Sequence, residues 1–355
     1  MRLTLIPNRD VRTAALACVV LALGLASHSV CAQRPPDGAE LPAFTLTAVN
    51  PDHYKRIDFE WVDAPRQRAV PVRLYWPIKA ETSVPAGKNM PMVVFSHGMG
   101  GSREGYSYLG SYWAAQGYAS LHVQHVGSDK NVWWGNPLGL SERLKAAATE
   151  QEAVARVQDL RFALDQVLAS AYGARIDAAR LVVAGHSYGA TTAMLTVGAD
   201  VQRDGHSLQL QDPRYKAAIF MSSPPLYGQV DSARALGAIR VPSLHVTATH
   251  DVIRVPGHYS GAQDRVAVFE AMGSEQKWLA VYDGGSHSIF TDRMSTGGAQ
   301  LNPKVKAATR ELTVDFFRTV FERDTASLPK WGQTYGEILA RYVAPSPRRQ
   351  GQTIK

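Results

Sequence analysis

The sequence predicts an α/β protein with a mostly parallel central sheet, helices on both faces and an antiparallel N-terminal strand pair. Three observations carry that prediction. From about residue 90 onward, short apolar runs of strand length alternate with longer segments of helical periodicity. Before them, 56–62 and 69–76 both approach period-two alternation, with Asp63-Ala-Pro-Arg66 between them, and read as an antiparallel pair. The apolar run Leu181 to Ala184 passes through Gly185-His186-Ser187-Tyr188-Gly189 into a helix starting near Ala190, a strand–turn–helix unit.

Taken from the start, residues 1–32 of the 355-residue chain read as a secretory signal peptide. Arg2, Arg9 and Arg12 make a basic start. The apolar stretch from Ala14 to Ala26 is shorter than the roughly 20 residues a membrane span needs. Val30 and Ala32 place cleavage between Ala32 and Gln33. Cys18 and Cys31, the two cysteines of the chain, leave with this segment, so stability rests on the core rather than on disulfides. The expected address is secreted or periplasmic, with no transmembrane anchor in the mature chain. Net charge is +7 and falls to +5 once three arginines and one aspartate leave. The remaining basic residues are scattered, without a basic stripe interleaved with aromatics, which argues against nucleic acid as a partner.

Residues 33–54, rich in Pro, Asp and Gly, read as a loose N-terminal arm, 55–345 as one catalytic domain, and 346–355 as a flexible basic tail. After the antiparallel pair, strands are expected at 92–96, 119–123, 181–184, 217–221, 243–248 and 278–282. Helices are expected at 106–115, 141–171, 190–197, 232–236, 262–272 and 304–321. The long one carries Val154, Val157, Leu160, Leu164 and Val167 at three- and four-residue steps, a buried stripe, and Gly173 reads as its C-cap. Ser141-Glu142 and the pair Glu150 and Glu152 read as solvated positions on it.

The chemistry is read from the elbow outward. A serine at the tip of a sharp strand-to-helix turn needs glycines two residues away on each side, and Ser187 is so placed. A serine hydroxyl is a weak nucleophile until a base, a group orienting that base and oxyanion donors surround it. His287 follows the last predicted strand in Asp283-Gly-Gly-Ser-His287 and is the expected base. Asp251 follows the strand at 243–248 and is the expected acid, with Asp283 the rival, better explained as shaping its turn. The loop His97-Gly-Met-Gly-Gly101 lies at the end of an apolar strand, so the backbone N–H groups of Met99 and Tyr188 are the expected oxyanion donors. His97 reads as a brace of that loop. His122 and His125 have no cluster of carboxylates or thiols around them, so no metal is expected. Trp133 and Trp134 lie in a segment, 126–140, expected to overhang the pocket; whether they line it or pack on the long helix is open.

At these residues the chain resembles the α/β-hydrolase superfamily, and within it secreted bacterial esterases related to dienelactone hydrolase and to plasma-type platelet-activating-factor acetylhydrolase. The matching pieces are Phe95-Ser-His-Gly-Met-Gly-Gly-Ser-Arg103, His125-Val-Gly-Ser-Asp129, the segment from Ile176 to Gly189 and Asp283-Gly-Gly-Ser-His287. The resemblance implies Ser187 as nucleophile, His287 as base, and Met99 and Tyr188 as oxyanion donors. It departs at the acid: the acetylhydrolases place theirs after the strand following the nucleophile, and here that strand runs into Met221-Ser-Ser-Pro-Pro225. Asp251 fits the dienelactone-hydrolase placement, although that enzyme uses cysteine as nucleophile. The expected activity is serine-dependent hydrolysis of a small-molecule or lipid-like carboxylic ester through an acyl-enzyme, without a cofactor. A serine peptidase or amidase on the same fold, and a non-catalytic binding protein, are the alternatives.

Overall fold

The computed structural model describes residues 44–345, apart from 79–88, 204, 229–230, 256–257 and 295. The expected signal peptide, the arm up to residue 43 and the basic tail lie outside the described residues. The antiparallel pair is present: β1 (Tyr54–Asp63) runs against β2 (Arg68–Pro77) from Tyr54 opposite Pro77 to Asp63 opposite Arg68. Then come β3 (Met90–Ser96), helix α1 (Ser107–Ala115) and β4 (Ala119–Val123). Helices α2 (Leu140–Ala147) and α3 (Glu150–Ala169) lead to β5 (Ile176–His186) and α4 (Tyr188–Thr196). A small hairpin, β6 (Gln202–Arg203) and β7 (His206–Ser207), precedes β8 (Tyr215–Met221), α5 (Ser232–Gly237) and β9 (Ser243–His250). A second small hairpin, β10 (Ile253–Val255) and β11 (His258–Ser260), is followed by α6 (Ala262–Ala271) and β12 (Lys277–Ser286). Helices α7 (Gly298–Glu322) and α8 (Ser327–Thr334) and strand β13 (Leu339–Val343) complete the order.

Among the described residues nine strands form one sheet in the order β1-β2-β4-β3-β5-β8-β9-β12-β13. The six from β4 to β12 are parallel, with antiparallel pairs at either side. Period two sorts the core: Met92 and Val94 of β3 face the cluster built on α3 and α4, while Val93 and Phe95 face the one built on α1 and α7. Both faces being covered explains why the central strands read as unbroken apolar runs.

The expected 141–171 helix is two helices. Thr149-Glu-Gln-Glu152 is a capping-box sequence, and the Thr149 hydroxyl accepts from the Glu152 N–H at 3.3 Å, starting α3 afresh. Ser170, not Gly173, caps its C-terminus; Gly173 opens a short 3-10 turn. The stripe itself holds, with Val157, Leu160, Leu164 and Val167 buried and Val154 only partly so. Glu152 is buried rather than solvated. β13 and α8 are additions: five residues on a half-exposed edge strand alternate too briefly to stand out. The end of the expected arm is docked, with Leu46 against the α7 side of the core and the Thr47 carbonyl accepting from Arg310 at 2.8 Å.

Candidate active site

The elbow is built by close backbone approach. Ser187 has φ 56° and ψ −122°, a conformation costly for any residue with a Cβ. A Cβ on Gly185 would lie 2.1 Å from the Gly189 carbonyl oxygen, and one on Gly189 would lie 1.9 Å from the Ser96 carbonyl oxygen. Only glycine allows β5, the turn and α4 to meet β3 this closely. The Ser187 N–H donates to the Met221 carbonyl at 2.9 Å, which anchors the turn to β8.

The three side chains expected from separate strand ends converge. The Ser187 hydroxyl lies 2.9 Å from His287 Nε2, and His287 Nδ1 lies 2.7 Å from Asp251 Oδ1. An aspartate oxygen only accepts, so Nδ1 carries the proton and Nε2 faces the serine as acceptor. Thr247 donates to the other Asp251 oxygen at 2.8 Å, and the buried Arg265 guanidinium stands 3.6 Å from Oδ1. Burial opposes charge on Asp251, but its bond to His287 and the neighbouring positive charges win, holding the carboxyl well below the usual range. Among the described residues Asp283 accepts only from Thr249, at 3.2 Å, on the turn before the histidine.

Met99 and Tyr188 both border Ser187 in one cavity of about 370 Å³. Among the described residues neither N–H donates to a protein acceptor, and Tyr188 is the first residue of α4, whose leading N–H groups lack intrahelical partners. His97 does brace its loop: Nδ1 bonds the Gly98 carbonyl at 2.7 Å and Nε2 accepts from the His125 N–H at 3.1 Å, with burial keeping the ring neutral. Trp133 and Trp134 do not border the cavity. Trp133 instead lies on the same loop, its indole N–H donating to the Gly100 carbonyl at 3.0 Å, and Trp134 is exposed. Among the described residues no group of three or more His, Cys, Asp or Glu side chains is arranged to hold a metal.

The sequence model of the family described as platelet-activating factor acetylhydrolase, isoform II, matches residues 66–135, from β2 through the His97–Gly101 loop to Trp134 and Gly135. No curated protein matches the chain in sequence. A solved structure of a Mycobacterium tuberculosis puromycin-hydrolyzing peptidase is similar over 79% of this chain, at 18% identity and a TM-score of 0.52. This chain spans 41% of that one. The fold is that of the α/β-hydrolases. Within it, Ser187 occupies the turn between a central parallel strand and its helix, while Asp251 and His287 follow neighbouring strands on the same edge.

Two layers around this site went unread in the sequence. In the first, His186 Nε2 lies 3.0 Å from the His287 carbonyl, which can only accept, so Nδ1 accepts from the Tyr106 hydroxyl at 2.8 Å. Burial pushes the His186 imidazole down to about 3, so it stays neutral while bridging the two segments. In the second, Arg156 is fully buried behind the His97–Gly101 loop. It donates to Thr192 Oγ1 at 2.9 Å, Ser128 Oγ at 2.7 Å, Ser96 Oγ at 3.0 Å and the His97 carbonyl, and its guanidinium lies 4.4 Å from the Tyr188 ring centre. Burial lowers its pKa to about 10, leaving it charged at neutral pH. His125 and Asp159 extend the network, 3.0 Å apart, with Arg66 and Arg68 on the carboxylate. The available signal was Glu152, Arg156 and Asp159 at i, i+4 and i+7, one face of α3.

Proposed function

We propose that the protein is a serine hydrolase of carboxylic esters. Ser187 Oγ attacks the acyl carbon while His287 Nε2 takes its proton. Asp251 holds the imidazole tautomer and stabilises the imidazolium, and the N–H groups of Met99 and Tyr188 receive the oxyanion. The imidazolium then protonates the leaving alcohol. The same histidine activates the water that clears the acyl-enzyme. No cofactor enters the scheme. The observation that carries the reading is the hydrogen-bonded chain from Ser187 through His287 to Asp251, opening at Ser187 into the cavity.

A peptidase reading has one point in its favour, the similarity to the structure of a puromycin-hydrolyzing peptidase. The cavity supports the ester instead. Its lining is mostly apolar, and its charged residues among those described, Glu150 and Arg203, pair with each other, leaving no ionic group for a peptide terminus. Matched nitrophenyl esters and nitroanilides decide between the two; faster anilide turnover would sink the ester reading. A fluorophosphonate probe should label Ser187 in folded protein, and absence of labelling would favour a binding protein. Among the described residues no helix is long and apolar enough to cross a membrane. The start of the sequence supports export, and N-terminal sequencing of extracytoplasmic protein should read from Gln33. An intact Met1 would count against it.

A further inference from the structure

We infer that the cavity beside Ser187 takes the acyl part of the ester, and that it selects a straight chain of about eight to ten carbons. The inference rests on the proposed ester hydrolysis and extends it to substrate length.

Orientation comes from which side of the serine is open. Ser187, Met99 and Tyr188 border the cavity, and His287 does not. The leaving alcohol must receive its proton from His287 Nε2, so it lies on the histidine side. With the carbonyl oxygen against the Met99 and Tyr188 N–H groups, the remaining substituent, the acyl chain, points into the cavity.

Length comes from α4. Ser187, Thr191 and Leu195 all border the cavity at four-residue steps, one line down the same helix face. Eight residues of helix rise about 12 Å. An extended hydrocarbon advances about 1.25 Å per C–C bond of about 1.5 Å, so a chain of eight to ten carbons covers roughly 9–11 Å of that line. At the end of that line Leu195, like the cavity-lining Val201 and Leu210, is packed into the core cluster, so a longer chain meets close-packed side chains. The volume, about 370 Å³, is near the low end of small-molecule sites, which suits one unbranched chain rather than a bulky acid.

The test is kcat/KM on p-nitrophenyl acetate, butyrate, octanoate, decanoate and palmitate below their aggregation concentrations. Each buried methylene is worth up to about a fourfold gain. The octanoate should therefore exceed the acetate at least a hundredfold, and the palmitate should fall below the decanoate. Thr191→Phe, filling the line halfway, should lower the octanoate-to-acetate ratio at least tenfold; Leu195→Ala should move the optimum to longer chains. An active enzyme that prefers acetate, or whose ratio neither variant moves, overturns the acyl assignment and leaves the esterase reading standing. So does a rise in kcat/KM with alcohol length in acetate esters at fixed acyl group. Absence of both turnover and fluorophosphonate labelling sinks the esterase reading, and this inference with it.

Discussion

Arg156 offers the sharpest perturbation, because its guanidinium ties together the two segments that carry the proposed oxyanion donors. One arm reaches Ser96 Oγ and the His97 carbonyl, two residues before Met99; another reaches Thr192 on α4, and the plane stacks on Tyr188. In Arg156→Leu three acceptors keep another partner: Ser96 Oγ has His125 Nε2, Ser128 Oγ has Glu152 and Thr192 Oγ1 has the Tyr188 carbonyl. Among the described residues the His97 carbonyl has no other donor, and an orphaned buried acceptor costs about 1–3 kcal/mol. Glu152 and Asp159 keep Arg68, so no carboxylate is left uncompensated. Adding about 1 kcal/mol for the lost contact over Tyr188 puts the destabilisation near 3 kcal/mol, a weakened but folded protein.

The catalytic effect is larger than the stability effect suggests. With the His97 carbonyl free, the Met99 N–H loses its fixed aim at the developing oxyanion. Loss of one such donor lowers kcat by about 10²–10³-fold in acyl-transfer enzymes. We expect a kcat fall of about a hundredfold with KM changed less than about threefold, since the donor acts mainly in the transition state. Arg156→Lys keeps the charge but lacks the planar fork that meets four acceptors, so it should restore stability more than turnover. Steady-state hydrolysis of a nitrophenyl ester, with urea unfolding as the check on folding, measures both. A folded variant that keeps kcat within threefold of native would refute the argument and leave Arg156 a structural residue. Should the leucine variant not fold, the lysine variant decides alone.

Three further outcomes are expected. Asp251→Asn should lower kcat about 10³–10⁴-fold, as an amide cannot favour the productive tautomer or the imidazolium. It should also cost about 3 kcal/mol, because buried Arg265 loses its counter-charge; unaltered turnover would move the acid elsewhere, with Asp283 next to test. Gly189→Ala should fail to fold, given a Cβ placed 1.9 Å from the Ser96 carbonyl oxygen, and a native-like melt would contradict that backbone approach. His245 is buried, and burial with nearby Lys277 depresses its imidazole to about 3. The unfolded chain takes up this proton below about pH 6.5 and the folded one does not, so stability falls as pH drops through that value, by about 2 kcal/mol at pH 5. His245→Leu should flatten the difference between urea unfolding at pH 7 and pH 5 by that amount; an unchanged difference would contradict burial of a neutral ring.

The sheet and the elbow were legible because their causes are local. Period-two and apolar runs mark strands wherever both faces are covered, and the glycines at 185 and 189 record a close approach that no other residue permits. The Arg156 network was not legible, because Glu152, Arg156 and Asp159 at i, i+4 and i+7 are also what a solvated helix face looks like. The partners of Arg156, namely Ser96, His97 and Ser128, lie 28 to 60 residues away in sequence. The cavity walls escaped for a related reason. Leu208, Leu210, Leu226 and Tyr227 come from the segment after a short hairpin and from a loop, where no period exists to reveal a shared direction.

Helix α3 joins these two hidden features. At 100° per residue, Glu150, Ala153 and Val154 fall on one side of it and border the cavity, while Glu152, Arg156 and Asp159 fall roughly opposite and bond Ser128, Ser96 and His125 behind the His97–Gly101 loop. Its stripe of Val157, Leu160, Leu164 and Val167 lies beside the cavity-facing side and packs into the core. The helix is therefore used on more than half of its circumference, with Gln151, Gln158, Asp165 and Ala169 on the side left to solvent. Substitutions on its two working sides should separate in their effects. Enlarging Ala153 intrudes on the cavity and should alter chain-length preference with the acetate rate little affected, whereas Arg156 variants should lower turnover of every ester by a similar factor. Equal losses across chain lengths from Ala153→Leu, measured on the same ester series, would mean that the helix moves as one body and that its two sides do not act separately.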